Sequence, residues 1–192
     1  MGEIITFGDL VTFSAGTNLT RLSGDVSDSS IYTLEDFDRD LSSLSKEYVD
    51  AGMSAAKGKS VISAAGDVVI SMTRSQAGIV SSENSGKYLN SNFVKCEFDR
   101  DKLYPWYFCY VLNESTAISQ QIKKLQQGTI GCINRLTISM IGSLLFELED
   151  LSKQRTVGDL YRNMLIRERL TLKQMENMRK YTLEIIKKVD NN

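Results

Sequence analysis

The stretch from Leu151 to Val189 sets the terms for the rest of the chain. It holds no proline and a single glycine, Gly158, and most of its residues are Leu, Arg, Lys, Glu, Met and Gln, all good helix formers. Ser152 stands ahead of Lys153, Gln154 and Arg155 as the expected N-cap. At about 1.5 Å per residue the helix runs roughly 55 Å, longer than a domain of this size is wide. It therefore projects from the body or lies along a partner. Tyr161, Leu165, Leu172, Met175, Ile186 and Val189 fall on a seam with steps of three and four, as a packed helix pair requires. Glu168, Arg179 and Thr182 interrupt that seam, and Leu160, Met164, Met178 and Ile185 widen it. So much apolar surface on a free helix predicts an intermolecular or antiparallel helix partner rather than packing on its own domain.

The remainder bounds the chemistry. The 192 residues fit one domain with an appendage, 1–150 followed by 151–192, and 42% hydrophobic with 24% charged residues suit a full core. No apolar run reaches the roughly 18 residues that span a bilayer. The N-terminus also lacks the basic start and apolar core of a signal peptide, so a cytoplasmic protein with no membrane partner is expected. Cys96, Cys109 and Cys132 are odd in number and widely spaced, which reads as three buried thiols and neither a disulfide framework nor a zinc motif. There is no histidine, which excludes His-based triads and imidazole metal ligands. With a net charge of −1, any nucleic-acid contact has to come from a local basic face or a shared surface.

The body reads as mixed α and β. Ile4 to Ser14 suggests a short helix or turn and then a strand, leading into the polar loop Ser14–Arg21, which lacks the glycines and Lys-Ser/Thr of a phosphate cradle. Ile31 to Thr33 reads as a strand end, and Thr33 with Asp36 resembles a capping box opening a helix over Leu34–Leu44. The alternating Asp36, Asp38 and Asp40 lack the glycine and glutamate of a calcium loop. Strands are expected at Ser60–Ser63, Gly66–Met72 and Tyr88–Glu97, with Ile70 and Met72 on one face of theirs and Val69 and Ser71 on the other. The polar loop Thr73–Gly78 offers Arg74 and Gln76, residue types that read guanine and adenine edges. Pro105 opens an apolar helix to Asn113, Ser115 caps another that ends at Gly128, and a short helix at Ser139–Ser143 precedes a last strand, Leu144–Leu148.

The order of these pieces resembles one half of a type I restriction–modification specificity subunit over nearly the whole chain. Gly8-Asp9-Leu10 and Ser14-Ala15-Gly16-Thr17 stand where that family's target recognition domain opens. Gly66-Asp67-Val68-Val69-Ile70-Ser71 resembles its Gly-Asp-aliphatic strand, and Asn92-Phe93-Val94, Pro105-Trp106-Tyr107-Phe108 and Gly128 continue the pattern. Leu136, Leu144–Leu148 and Leu151-Ser152-Lys153-Gln154-Arg155-Thr156-Val157 resemble its strand, leucine, Gln-basic pair and long helix, although Glu147 and Glu149 stand where the family's strand carries prolines.

The resemblance implies an α+β recognition domain with a helix that pairs as an antiparallel coiled coil. It also implies a non-catalytic subunit that reads half of a split double-stranded DNA target. Methyltransferase subunits and a translocating nuclease subunit would be its partners and would carry the S-adenosylmethionine and ATP; the chain itself is expected to hold no cofactor. A full subunit of the family has two recognition domains and two helices, so this chain would rebuild that shape as a homodimer. Thr17, Asn18, Arg21, Lys57, Lys59, Arg74 and Gln76, polar or basic and set in expected loops, are the DNA-face candidates. A helix-mediated adaptor with no DNA role is the alternative, and an enzyme built on the scattered acids has less behind it.

Overall fold

The computed structural model describes residues 2–18, 30–41, 43, 61–127 and 136–190. Arg21, Lys57, Lys59, Gly128 and Cys132 lie outside the described residues. The chain opens with strand β1 (Glu3–Thr6), helix α1 (Phe7–Leu10) and strand β2 (Val11–Ala15). Strand β3 (Ile31–Tyr32) leads into helix α2 (Leu34–Leu41), and β4 (Val68–Ser71) and β5 (Gln76–Ile79) form a hairpin. Strands β6 (Tyr88–Leu89) and β7 (Phe93–Phe98) precede helices α3 (Pro105–Glu114), α4 (Thr116–Gln127) and α5 (Ile138–Gly142). Strand β8 (Leu145–Leu148) then feeds helix α6 (Leu151–Asp190).

The centre is a four-stranded antiparallel sheet in the order β2-β7-β4-β5. Its middle strand β4 is buried on both faces, which its β-branched run requires. As the alternation predicts, Val68, Ile70 and Met72 pack with Phe7, Phe108 and Leu112 on the side of α1 and α3, while Val69 packs with Tyr32, Phe37 and Phe93 on the side of α2. The side chains of Lys95 and Asp67 meet at 2.7 Å inside this sheet, 4% and 10% exposed. The same oxygen, Asp67 Oδ2, also accepts the Ala64 N–H at 2.7 Å, so the buried carboxylate has two partners. A pair of this kind survives burial only when both partners stay. Cys96 and Cys109 are buried thiols as expected, and burial pushes both thiol pKa values up.

Several elements differ from expectation. The start of the chain holds a strand that the sequence pattern hides: β1 pairs antiparallel with β8, from Glu3 opposite Leu148 to Thr6 opposite Leu145. The expected strand Tyr88–Glu97 is two strands, because the Asn90 side chain accepts the Asn92 N–H at 2.8 Å and turns the backbone. Its first part, β6, pairs parallel with β3. The α2 capping box is present, with Asp36 accepting the Thr33 N–H at 3.0 Å and Thr33 Oγ1 accepting the Asp36 N–H at 3.2 Å. The N-cap of α6 is Asp150 rather than Ser152: its carboxylate accepts the Lys153 N–H at 3.0 Å and its carbonyl the Gln154 N–H at 2.9 Å. A carboxylate both caps and complements the positive helix terminus, so it takes the position ahead of a hydroxyl.

Helix α6 is rooted on α3. The Gly158 position lies so close that a Cβ there would sit 2.8 Å from both Tyr104 Cδ1 and the Tyr107 nitrogen. Tyr161 is buried on the same face, its hydroxyl accepting from Asn113 Nδ2 at 3.1 Å. Residues 167–190 are all exposed, a projection of roughly 35 Å at helical rise.

Candidate nucleic-acid interface

Sheet register gathers the candidate loops. Ala15 lies opposite Val94, Val94 opposite Ile70, and Ile70 opposite Ala77, so one row of residues crosses all four strands. Just beyond that row lie Gly16 to Asn18, the Asn90–Asn92 turn and the Met72–Ser75 turn with Gln76, all at the same end of the sheet. Backbone bonds lock the convergence: Gly16 N–H donates to Phe93 O at 2.9 Å, Thr17 N–H to Leu89 O at 2.8 Å and Met72 N–H to Asn92 O at 2.8 Å. Gly16 is required there, since any Cβ would fall 2.0 Å from the Asn90 carbonyl oxygen.

The hairpin that carries Arg74 is shorter than expected. Gln76 is a half-buried residue of β5 rather than a loop residue, and Ser75 takes the left-handed conformation at φ 56° that closes the turn. Gly78, expected in the loop, sits mid-strand because the ends of Phe37 and Leu41 would press a Cβ there at 3.1 and 3.2 Å. Arg74 N–H donates to Ser71 Oγ at 3.2 Å, and its Nη2 donates to Asp38 Oδ2 at 2.8 Å.

Helix α2, the source of Asp38, is pinned to the sheet by its two neighbouring acids. Asp40 is buried, accepting from Tyr32 Oη at 2.6 Å, Asn84 Nδ2 at 2.8 Å and the Ser81 N–H at 3.1 Å. Asp36, also buried, meets Lys87 Nζ at 2.9 Å. Burial works to raise the Asp36 pKa, but hydrogen bonds from Lys87 and Thr33 outweigh it and hold the carboxyl below its ordinary value. The two outer acids of the Asp36-Asp38-Asp40 series are thus consumed by packing, and no group of acids and cysteines suited to a metal ion occurs among the described residues.

Of the seven DNA-face candidates, the structure brings Thr17, Asn18, Arg74 and Gln76 to this end of the sheet; Arg21, Lys57 and Lys59 lie outside the described residues. Thr17 is half-buried, its hydroxyl accepting the Val61 N–H at 3.4 Å, while Asn18 is exposed. Asp38, Asn90 and Asn92 also lie at this end without having been DNA-face candidates, although the Asn-Ser-Asn run is itself a turn signal. A guanidinium fork, amides and hydroxyls on a fixed edge can donate to phosphates and base edges, and the amides and hydroxyls can also accept from base edges.

A second surface is the projecting part of α6. Tyr161 and Leu165, expected on the partner seam, pack on the chain's own body instead, Tyr161 against Tyr110 of α3 and Leu165 half-buried against the same core, because the root of the helix lies over the domain. Arg155 and Arg162 flank this root over the rings of Tyr104 and Trp106 at 5.5 and 5.8 Å. Leu172, Met175, Ile186 and Val189 are exposed, as are Leu160, Met164, Met178 and Ile185. Leu160, Met164, Thr171, Met175, Met178, Thr182, Ile185 and Val189 follow one another by three or four residues, apart from the step of seven between Met164 and Thr171, so the uncovered stripe runs beside the domain as well as beyond it. Met164, Arg167, Glu168, Thr171 and Leu172 line a shallow hollow on this helix. No described helix is long and apolar enough to cross a membrane.

The fold is similar to that of solved type I restriction–modification proteins. The HsdS subunit from Thermoanaerobacter tengcongensis matches with a TM-score of 0.54 at 14% identity, over 90% of this chain and 39% of that one. The type I restriction–modification S subunit from M. genitalium matches with a TM-score of 0.53 at 13% identity, over 93% and 44%. A chain from a structure describing complex assembly and conformational transition of the type I R-M system matches with a TM-score of 0.56 at 13% identity, over 96% and 43%. This chain thus spans less than half the length of those it resembles. No family model matches the sequence, and no curated protein does.

Proposed function

We propose that this chain is a half-length DNA specificity subunit of a type I restriction–modification system. The observation that carries the reading is the fold likeness to S subunits over at least 90% of this chain and at most 44% of theirs, one recognition body and one long helix. In this reading the chain has no catalytic role. The sheet end with Thr17, Asn18, Arg74 and Gln76 meets half of a split target, and methyltransferase and nuclease subunits supply the chemistry. Two copies pair antiparallel through the α6 stripe, which gives a two-fold symmetric target with halves at a fixed separation. The test is methylome sequencing of a host expressing the chain with a type I methyltransferase subunit. The expected result is a palindromic split motif that is lost when the chain is omitted. Methylation that does not depend on the chain, together with no salt-sensitive DNA binding by the assembly, would overturn the reading.

A further inference from the structure

We propose that Asp38 is a specificity-determining positioning residue, which holds the Arg74 guanidinium as a pre-oriented fork for a guanine edge. The proposal rests on the DNA-specificity reading above. The contact joins residues 36 apart in sequence, with Arg74 Nη2 donating to Asp38 Oδ2 at 2.8 Å.

Both sides of this contact are anchored independently. On the hairpin side, Ser71 receives the Arg74 N–H on its hydroxyl and the Ser75 N–H on its carbonyl, at 3.2 and 2.8 Å. On the helix side, Asp36 and Asp40 are each 3% exposed and tied to Lys87, Tyr32, Ser81 and Asn84. Asp38 stands between them with its side chain 47% exposed, against 50% for Arg74.

An ion pair that exposed contributes little to stability. Its consequence is orientation. A guanidinium carries five N–H donors in a rigid plane, so a fixed carboxylate on one amino group sets the direction of the rest. A fork already aligned loses less freedom when it binds. The carboxylate also offsets the positive charge that would otherwise draw Arg74 to a phosphate. What suits the remaining donors is a neutral acceptor pair, and guanine O6 and N7 form the pair that an Arg fork matches.

Selection from a random duplex library tests the idea, using the full chain assembled with its methyltransferase subunits. The wild type should enrich a motif containing a strongly preferred G·C pair, and Arg74→Ala should lose that preference. Asp38→Asn should relax the same position by roughly tenfold, while its binding to unrelated duplex becomes stronger and more salt-dependent. Asp38→Glu should recover part of the preference. If Asp38→Asn returns the wild-type motif while Arg74→Ala loses a position, the proposal fails and the DNA reading stands. If Arg74→Ala also returns the unchanged motif, Arg74 is not the reading fork and the proposal fails with it. A wild-type assembly that enriches no sequence overturns both. Thermal melting of each variant separates misfolding from these outcomes.

Discussion

Gln154 holds the start of α3 through its side chain: its Oε1 accepts the Tyr104 N–H at 2.8 Å, and its Nε2 donates to the Glu149 and Lys102 carbonyls at 2.7 and 3.0 Å. The residue is 1% exposed, so water has no access to replace these bonds. Gln154→Leu keeps the volume and strips every partner, and should destabilise the fold by about 3 kcal/mol. A urea midpoint unchanged from wild type would contradict this account of the root.

Gly158→Ala should destabilise, although alanine is the better helix former by about 1 kcal/mol. Its methyl would meet Tyr104 Cδ1 and the Tyr107 nitrogen at 2.8 Å, and the second of these is backbone that cannot swing aside. Overpacking of this kind costs about 1–3 kcal/mol. A raised melting temperature would mean that the two helices are not in such close contact.

What the sequence revealed and what it hid divide along physical lines. The long helix, the capping box at Thr33, the apolar helix after Pro105 and the two faces of Val68–Met72 were legible because each depends on local periodicity or a local hydrogen bond. The β1–β8 pairing was not, since nothing within Glu3–Thr6 signals a partner at Leu145–Leu148. Likewise, Arg74 stood out by residue type, but its bond to Asp38 depends on α2 crossing the sheet. Tyr161 and Leu165 belonged to a seam by spacing alone, and only tertiary packing distinguishes the covered part of a stripe from the open part.

Lys95→Met alone should cost about 3–5 kcal/mol, because it leaves the Asp67 carboxylate buried among apolar strands. Adding Asp67→Leu should recover much of that loss. Equilibrium unfolding of the wild type, both single variants and the double variant measures the coupling. Additive losses would show that the pair is not coupled.

Acid should loosen α2 through Asp36. Its folded-state pKa lies below the unfolded value of about 3.9, so its contribution is complete above that pH and is lost as pH falls through the lower folded value. Asp36→Asn should therefore be less stable at neutral pH and less sensitive to acid as pH falls below about 4. Identical acid titrations for the two proteins, followed by Trp106 fluorescence or circular dichroism, would remove Asp36 as the cause.

If two copies pair through α6 as proposed, the wild type should sediment as a dimer at tens of micromolar, and Met178→Glu with Ile185→Glu should sediment as a monomer with the melting of the body almost unchanged. Both side chains are exposed, at 63% and 44%, and lie on the open stripe of α6. Tyr161→Phe should do the reverse, lowering stability through the lost Asn113 contact while leaving association intact. A double variant that still sediments as a dimer would move the interface elsewhere.

The side chain of Asn113 stands in for a missing strand. Its Oδ1 accepts the Ala77 N–H at 2.8 Å and its Nδ2 donates to the Ala77 carbonyl at 2.9 Å, which closes the outer edge of β5 at that residue. An open β edge is a template for indiscriminate aggregation, and a protein that also exposes an apolar stripe along a helix is especially vulnerable to it. By satisfying that edge with an amide, the fold removes one pair of backbone groups from those open to another strand. Asn113 thus closes the outer edge of the sheet one residue from Gln76, beside the candidate end and well away from the tip of the helix.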